Sequence, residues 1–318
     1  MFLKPVAMHI PDGFLSPLVS IILWLFSILV VGLALKRVNR DLGERQVPLM
    51  GVLAAAIFAG QMLNFTVAGG TSGHLMGAAL ATILLGPWAA VLVMTTVVGV
   101  QALIFQDGGL LALGANIFNM GVVGVMIAYL VYQIFYKLFG RRTWGLFLSG
   151  FIAAWFSIIM ASLGVGLQLA LSGTSPANIA IPVMAGIHAL IGVGEGLITI
   201  GALAFINAAR PDLLRSEKTS QAGGWPVWAA GLILALLLAI ASPLASAHPD
   251  GLEWVAEQQG FLDAAQGPIY YLIPDYVFPG LSNQAVATIL AGILGTLIVC
   301  GVALMVAFSR RRRSGAEG

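Results

Sequence analysis

Apolar residues along this chain fall into long unbroken runs, without the two-residue alternation of a half-buried strand or the single stripe of a soluble helix. At about 20 apolar residues per helical span, the runs predict nine membrane helices. The first covers Pro17 to Leu35 and the second Pro48 to Val67. A third starts at Leu75 and is cut at Gly86-Pro87, because proline has no N–H for the helix ladder and disfavours helix in the residue before it. The fourth then runs from Trp88 to Phe105, the fifth from Leu113 to Phe135, the sixth from Leu146 to Leu171 and the seventh from Pro182 to Ile206. An eighth covers Val227 to Leu244, a polar segment fills 247–283, and a ninth extends from Ala285 to Phe308.

Composition agrees with that pattern. Of 318 residues 59% are hydrophobic and 9% charged, against roughly 25% charged in soluble domains, which excludes a soluble globular protein. The 39 glycines show no Gly-X-Y period and suit helices packed closely in a membrane. A net charge of +2 gives no nucleic-acid footprint, and one cysteine, Cys300, excludes an intrachain disulfide or a thiolate metal cage.

Because charges are scarce, they orient the chain. Lys36, Arg37, Arg40 and Arg45 follow the first run; Lys137, Arg141 and Arg142 the fifth; Arg210, Arg215 and Lys218 the seventh; and Arg310 to Arg313 the ninth. If the first cluster is cytoplasmic, nine alternating spans put fourteen of the fifteen cations on that side and leave Lys4 outside. The outer face then collects seven acids (among them Asp12, Asp107, Asp250 and Asp275) and draws cations. The expectation is an all-α integral membrane protein, a polytopic helical bundle of seven plus two spans with its N-terminus outside. Residues 1–209 form one unit and 225–318 a two-span unit with an extracytoplasmic segment at 247–283. Between them 210–224, with five charges in fifteen residues, read as a cytoplasmic linker. Lys4-Pro5 and the late first apolar run do not fit a short cleaved signal, so the first helix is expected to stay.

Candidate chemistry starts from the four histidines. His9, in Met8-His9-Ile10-Pro11-Asp12-Gly13, and His74, after Gly69, Gly70 and Gly73, fall on one side of the membrane. They are either two separate interfacial side chains or a converging pair. In a chain starting at Met8, the free amine, the His9 amide nitrogen and His9 Nδ1 close fused five- and six-membered chelate rings, with His74 as a fourth nitrogen. A planar nitrogen set suits Ni(II), Cu(II) or low-spin Co(II) better than Zn(II), Mg(II) or Ca(II). His188 and Glu195, seven apart on one helix face, are either a buried hydrogen-bonding pair or a proton relay. His248 is expected in solvent. No Gly-Lys-Ser/Thr, His-Glu-x-x-His or Gly-x-Ser-x-Gly occurs.

Four blocks, Met8-His-Ile-Pro-Asp-Gly-Phe-Leu-Ser-Pro17, Ala68-Gly-Gly-Thr-Ser-Gly-His-Leu75, Gly108 to Gly121 and His188-Ala-Leu-Ile-Gly-Val-Gly-Glu-Gly196, together resemble the cobalt/nickel-specific membrane subunit of energy-coupling-factor (ECF) transporters over residues 8 to 208. Pro249-Asp-Gly-Leu-Glu253 and Pro274-Asp-Tyr-Val-Phe-Pro-Gly280 resemble its small two-span companion, here fused. The resemblance implies metal ligands at Met8, His9 and His74, and Co(II) or Ni(II) as transported ligand with no permanent cofactor. It also implies a location in the cell membrane among its lipids, and ATP hydrolysis on separate ECF ATPase subunits acting through a transmembrane coupling subunit. It places the functional start at Met8. The rival expectation is a self-sufficient proton-coupled permease using Glu195 and His188.

Overall fold

The computed structural model describes residues 8–41, 46–140, 142–214 and 225–314. The leader Met1 to Ala7, with Lys4, lies outside the described residues, as do Arg45, Arg141 and linker residues 215–224. Helix α1 (Pro17–Asp41) is followed by α2 (Gln46–Gln61), a short antiparallel hairpin of β1 (Phe65–Thr66) and β2 (Ser72–Gly73), α3 (Ala78–Leu85) and α4 (Pro87–Val100). The helix continues beyond α4 as a π-helical stretch, Gln101–Phe105. A four-residue α5 (Leu113–Asn116) runs through a second π stretch, Ile117–Val123, into α6 (Gly124–Phe139). Then come α7 (Thr143–Leu171), α8 (Ala177–Ala209), α9 (Trp225–Ile240), α10 (Gly251–Gln259) and α11 (Gln284–Ser314).

Among the described residues six helices are long and apolar enough to cross a membrane: Pro17–Val38, Pro87–Phe105, Leu113–Phe139, Thr143–Leu171, Ala177–Ala209 and Gln284–Ser309. Two more apolar helices, Gln46–Gln61 and Trp228–Ile240, are shorter. The expected second and third spans therefore differ from a full-length pair. The second stops at Gln61 instead of Val67, and the third is the eight-residue α3, about 12 Å long at 1.5 Å per residue. Between them residues 62–77 return as hairpin and loop, and irregular backbone of this kind survives within a helical bundle only where its polar groups find partners. Here they do. Val67 N–H donates to Thr71 O (2.8 Å), Gln61 Nε2 to Met76 O (2.9 Å), and Met76 and Gly77 N–H to the Glu195 carboxylate in mid-α8. Gly77 sits at φ 80°, a left-handed turn that admits few side chains, and so starts α3 abruptly below the loop.

The last two long elements pack as part of the bundle. α9 and α11 both lie on α2, where a Cβ on Gly51 would meet Leu304 at 2.6 Å and one on Gly295 would meet Phe58 at 2.2 Å. The segment 247–283, expected as a polar outer stretch, instead carries α10 and folds over the hairpin. Ser246 N–H donates to Asn64 O and Ser72 N–H to Pro249 O, both at 2.8 Å. His248 is exposed, as expected. At the start of the linker, Arg210 forms a paired hydrogen bond to Asp212 (2.6 and 2.7 Å) with its guanidinium 5.8 Å from the Trp228 ring.

Candidate metal site

The segment Met8 to Ser16 is tied to the loop before α5 by side chains that read its backbone. Asn116 is reciprocal with Ile10: its Oδ1 accepts Ile10 N–H at 3.0 Å and its Nδ2 donates to Ile10 O at 3.1 Å. Asp12, expected to draw cations from solvent, spends its carboxylate on the N–H groups of Leu110 (3.0 Å) and Ala112 (2.9 Å). The approach leaves no room at Gly109, where a Cβ would fall 2.0 Å from Asp12 Oδ1. These bonds set the position of His9, which is 3% exposed.

His74 arrives from the other side, on the loop that β2 and α3 hold between them. Its Nδ1 lies 3.0 Å from its neighbour's carbonyl, Leu75 O, and it also meets the Met8 backbone. The His9 and His74 ring centroids are 5.6 Å apart and tilted by 57°. The structure thus brings the two sequence-predicted histidines and Met8 to one cavity of about 90 Å³, which Asn116, His188 and Asp250 also line.

His188 and Glu195 do not act on each other. Glu195 is fully buried and its two oxygens accept Met76 N–H (2.7 Å) and Gly77 N–H (2.9 Å), while His188 Nδ1 lies 2.8 Å from Met184 O one turn back.

Three site residues were not singled out from sequence. Asp107 Oδ1 lies 2.9 Å from His9 Nδ1, but off the ring N–H direction, so the attraction is coulombic and not an aligned hydrogen bond. Tyr276, from the segment before α11, donates its hydroxyl to Asp107 Oδ2 at 2.6 Å. Asp250, expected on the outer surface, is 2% exposed, and its Oδ1 accepts Glu253 N–H (2.7 Å) as the N-cap of α10. The only signals for these were Asp107 beside a Gly-Gly pair and the two acid-containing blocks of the fused segment, none of which reveals which long-range neighbour it meets.

The electrostatics follow from burial against charge. Burial alone would lower the His9 imidazole, but Asp107 and, more weakly, Asp250 outweigh it and hold it above the ordinary histidine value. Burial would raise Asp107, yet His9 and the Tyr276 hydrogen bond win and leave it below the ordinary carboxylate value. His74 is lowered by burial and by the charge of His9. Asp250 is pushed up to about 8, chiefly by burial, with Glu253 and Asp107 adding repulsion. Both ring nitrogens of His9 are buried with no aligned hydrogen-bond partner, as is Asp107 Oδ1. Buried polar atoms are rarely left so. Among the described residues no three His, Cys, Asp or Glu side chains are arranged to hold a metal, so an ion here would need backbone nitrogen as well.

Fold and site together define a multi-pass helical membrane protein with a histidine-lined cavity closed by its own C-terminal segment. Residues 9–213 match the family described as the cobalt uptake substrate-specific transmembrane region, and 225–312 match the PDGLE domain. The chain belongs to that cobalt-uptake family, with a PDGLE domain fused behind it, and the resemblance read from the sequence blocks is borne out. It is similar to the fused protein NikMN of Archaeoglobus fulgidus, 40% identical over 310 residues that take in 96% of this chain and 100% of that one. A fused nickel transport protein NikMN of Rhodobacter capsulatus is 30% identical over 349 residues, covering 97% and 100%. The crystal structure of a truncated transition metal transporter superposes with a TM-score of 0.56 at 32% identity, over 63% of this chain and 99% of that one.

Proposed function

We propose that this chain is the substrate-specific component of an ATP-driven ECF-type uptake transporter for Co(II) or Ni(II), binding the ion at the extracytoplasmic face through Met8, His9 and His74. The observation that carries the reading is the buried His9 imidazole, neither of whose nitrogens makes an aligned hydrogen bond, set beside His74 at the same cavity with 5.6 Å between ring centroids. Two imidazoles alone do not complete a site. The His9 amide nitrogen and the Met8 nitrogen are the further donors with which the His9 ring can close chelate rings, and an all-nitrogen set favours the later transition ions. In a chain starting at Met8 its amine is the fourth donor; with Met1 to Ala7 attached that nitrogen is a peptide amide.

Residues 1–209 are the ion-binding unit, 210–224 the cytoplasmic linker and 225–318 the companion unit. The cation clusters, all on one side of this topology, support an outer location for the site. ATP hydrolysis falls to separate ATPase subunits acting through a transmembrane coupling subunit. The proton-relay alternative draws less support, because both Glu195 oxygens already accept backbone N–H groups.

Calorimetric titration of the purified full chain with Ni(II) and Co(II) tests the site. His9→Ala and His74→Ala are each expected to abolish high-affinity binding with the fold retained, and unchanged affinity in either overturns the assignment. Uptake in vesicles with and without the ATPase partners tests the coupling, and full partner-independent uptake would overturn that part.

A further inference from the structure

Asp107 is drawn to His9 by charge across 2.9 Å, but no aligned hydrogen bond fixes the direction of its carboxylate there. Its firm partner is Tyr276, whose hydroxyl meets Oδ2 at 2.6 Å, a length expected of a phenol donating to a carboxylate. The chain distorts itself to make this bond. Asp275 and Tyr276 occupy the left-handed region at φ 53° and 57°, which side chains other than glycine seldom adopt and which persists only where surroundings over-determine it. The Tyr276 ring stacks on Phe105 at 4.8 Å and 15°, with Phe58 at 6.0 Å. A dication in a buried cavity is steadied by a fixed negative charge beside its ligands, and a carboxylate free to rotate supplies it poorly.

We propose that Tyr276 is a positioning residue for the ion site: from the fused PDGLE domain it holds the Asp107 carboxylate against His9, so that the C-terminal unit sets the affinity of a site in the N-terminal one. The inference rests on the reading of His9 and His74 as ligands.

Tyr276→Phe keeps the ring stack and removes only the hydroxyl. In the full chain, titrated with Ni(II) and Co(II), it is expected to lower affinity by up to roughly 10-fold, the low end of the roughly 10- to 100-fold cost of losing the group beside a ligand itself. The ligand-field absorption of bound Co(II) is expected to shift, a signature that loss of packing alone would not give. Asp107→Asn lowers affinity too, and the double variant is no weaker than Asp107→Asn alone, since both act through one carboxylate. Tyr270→Phe, which removes a hydroxyl bonded to Leu103 O outside this chain of contacts, leaves affinity unchanged. Wild-type affinity and spectrum in Tyr276→Phe, or losses that add fully in the double variant, overturn the proposal. If Tyr276→Phe proves unstable, the unaltered affinity of Asp107→Asn would overturn it equally. A wild-type chain that binds neither ion overturns the site reading along with this one, whereas binding lost in His9→Ala yet untouched by Tyr276→Phe overturns this one alone.

Discussion

Glu195 and Gly77 join the middle of α8 to the first turn of α3: the carboxylate accepts Gly77 N–H at 2.9 Å and, with its other oxygen, the N–H of Met76 at 2.7 Å. His74 is three residues before Gly77, so this carboxylate fixes the loop that presents it. Glu195→Ala leaves two buried N–H groups unpaired, at about 1–3 kcal/mol each. The expected result is a clear drop in melting temperature in detergent and weaker ion binding. Glu195→Gln turns an amide NH₂ toward one of those N–H groups and falls between. If Glu195 carried protons instead, Glu195→Gln would stop uptake at unchanged stability, and that outcome would refute the cap.

Asn116→Ala is expected to loosen the N-terminal segment without disturbing the bundle. Its two bonds to Ile10 are the nearest side-chain ties to His9, and losing them costs about 1–3 kcal/mol. If half of that falls on the bound geometry, affinity drops roughly two- to twelvefold, since about 1.4 kcal/mol is a factor of ten. Equal affinities by titration would show that the segment is held from elsewhere.

Ion binding is expected to weaken in acid. Asp107 holds His9 above the ordinary histidine value in the ion-free protein, so an ion at a ring nitrogen must displace a proton that is held more tightly than on a free imidazole. Affinity should therefore fall as pH drops, and it keeps rising above the His9 value, because the Met8 amine and the His9 amide nitrogen must each also lose a proton to bind the ion. His74, lowered, adds nothing near neutrality. Titrations in buffers of different ionisation heat would count the released protons, and a flat profile from about pH 6 to about pH 8 would remove His9 from the ligand set.

Asp250 predicts the opposite sign for stability. Its folded value of about 8 lies above the unfolded 3.8, so between the two the folded state holds the extra proton and stability falls as pH rises. Asp250→Asn keeps an N-cap acceptor for Glu253 N–H and removes the ionisation. In the ion-free protein it should raise the melting temperature near pH 8 and change it little near pH 4, about the ordinary carboxylate value. A loss of stability at both would mean that the charge is needed for folding.

Much of the bundle was legible in the sequence because a membrane helix is written as an apolar run, and α1, α4, α7, α8 and α11 lie where the runs predict. The Gly86-Pro87 break also stands, with Gly86 at φ 77° between α3 and α4. The length of α3 was not legible. Residues 62–67 and 75–77 are apolar enough to belong to the two spans, and what bends them away is a set of bonds to Glu195, Gln61 and Pro249, over 100 residues distant in two of the three cases. His9 and His74 could be paired because topology alone puts them on one side. Asp107, Tyr276 and Asp250 were invisible for the converse reason: an acid or a phenol in an outer loop has the same sequence signature whether it meets water or a buried histidine.

The docking of α9, α11 and the folded segment between them has a consequence for assembly. Because one chain carries both matched regions, 9–213 and 225–312, their association is intramolecular, and covalent linkage of this kind gives effective concentrations on the order of millimolar. An interface with a dissociation constant of about one micromolar would then leave only about one molecule in a thousand undocked, at any expression level. The same surfaces on separate chains would have to bind far more tightly to reach that occupancy inside a cell. Fusion fixes the ratio of the two units at one to one and frees their interface to be weak.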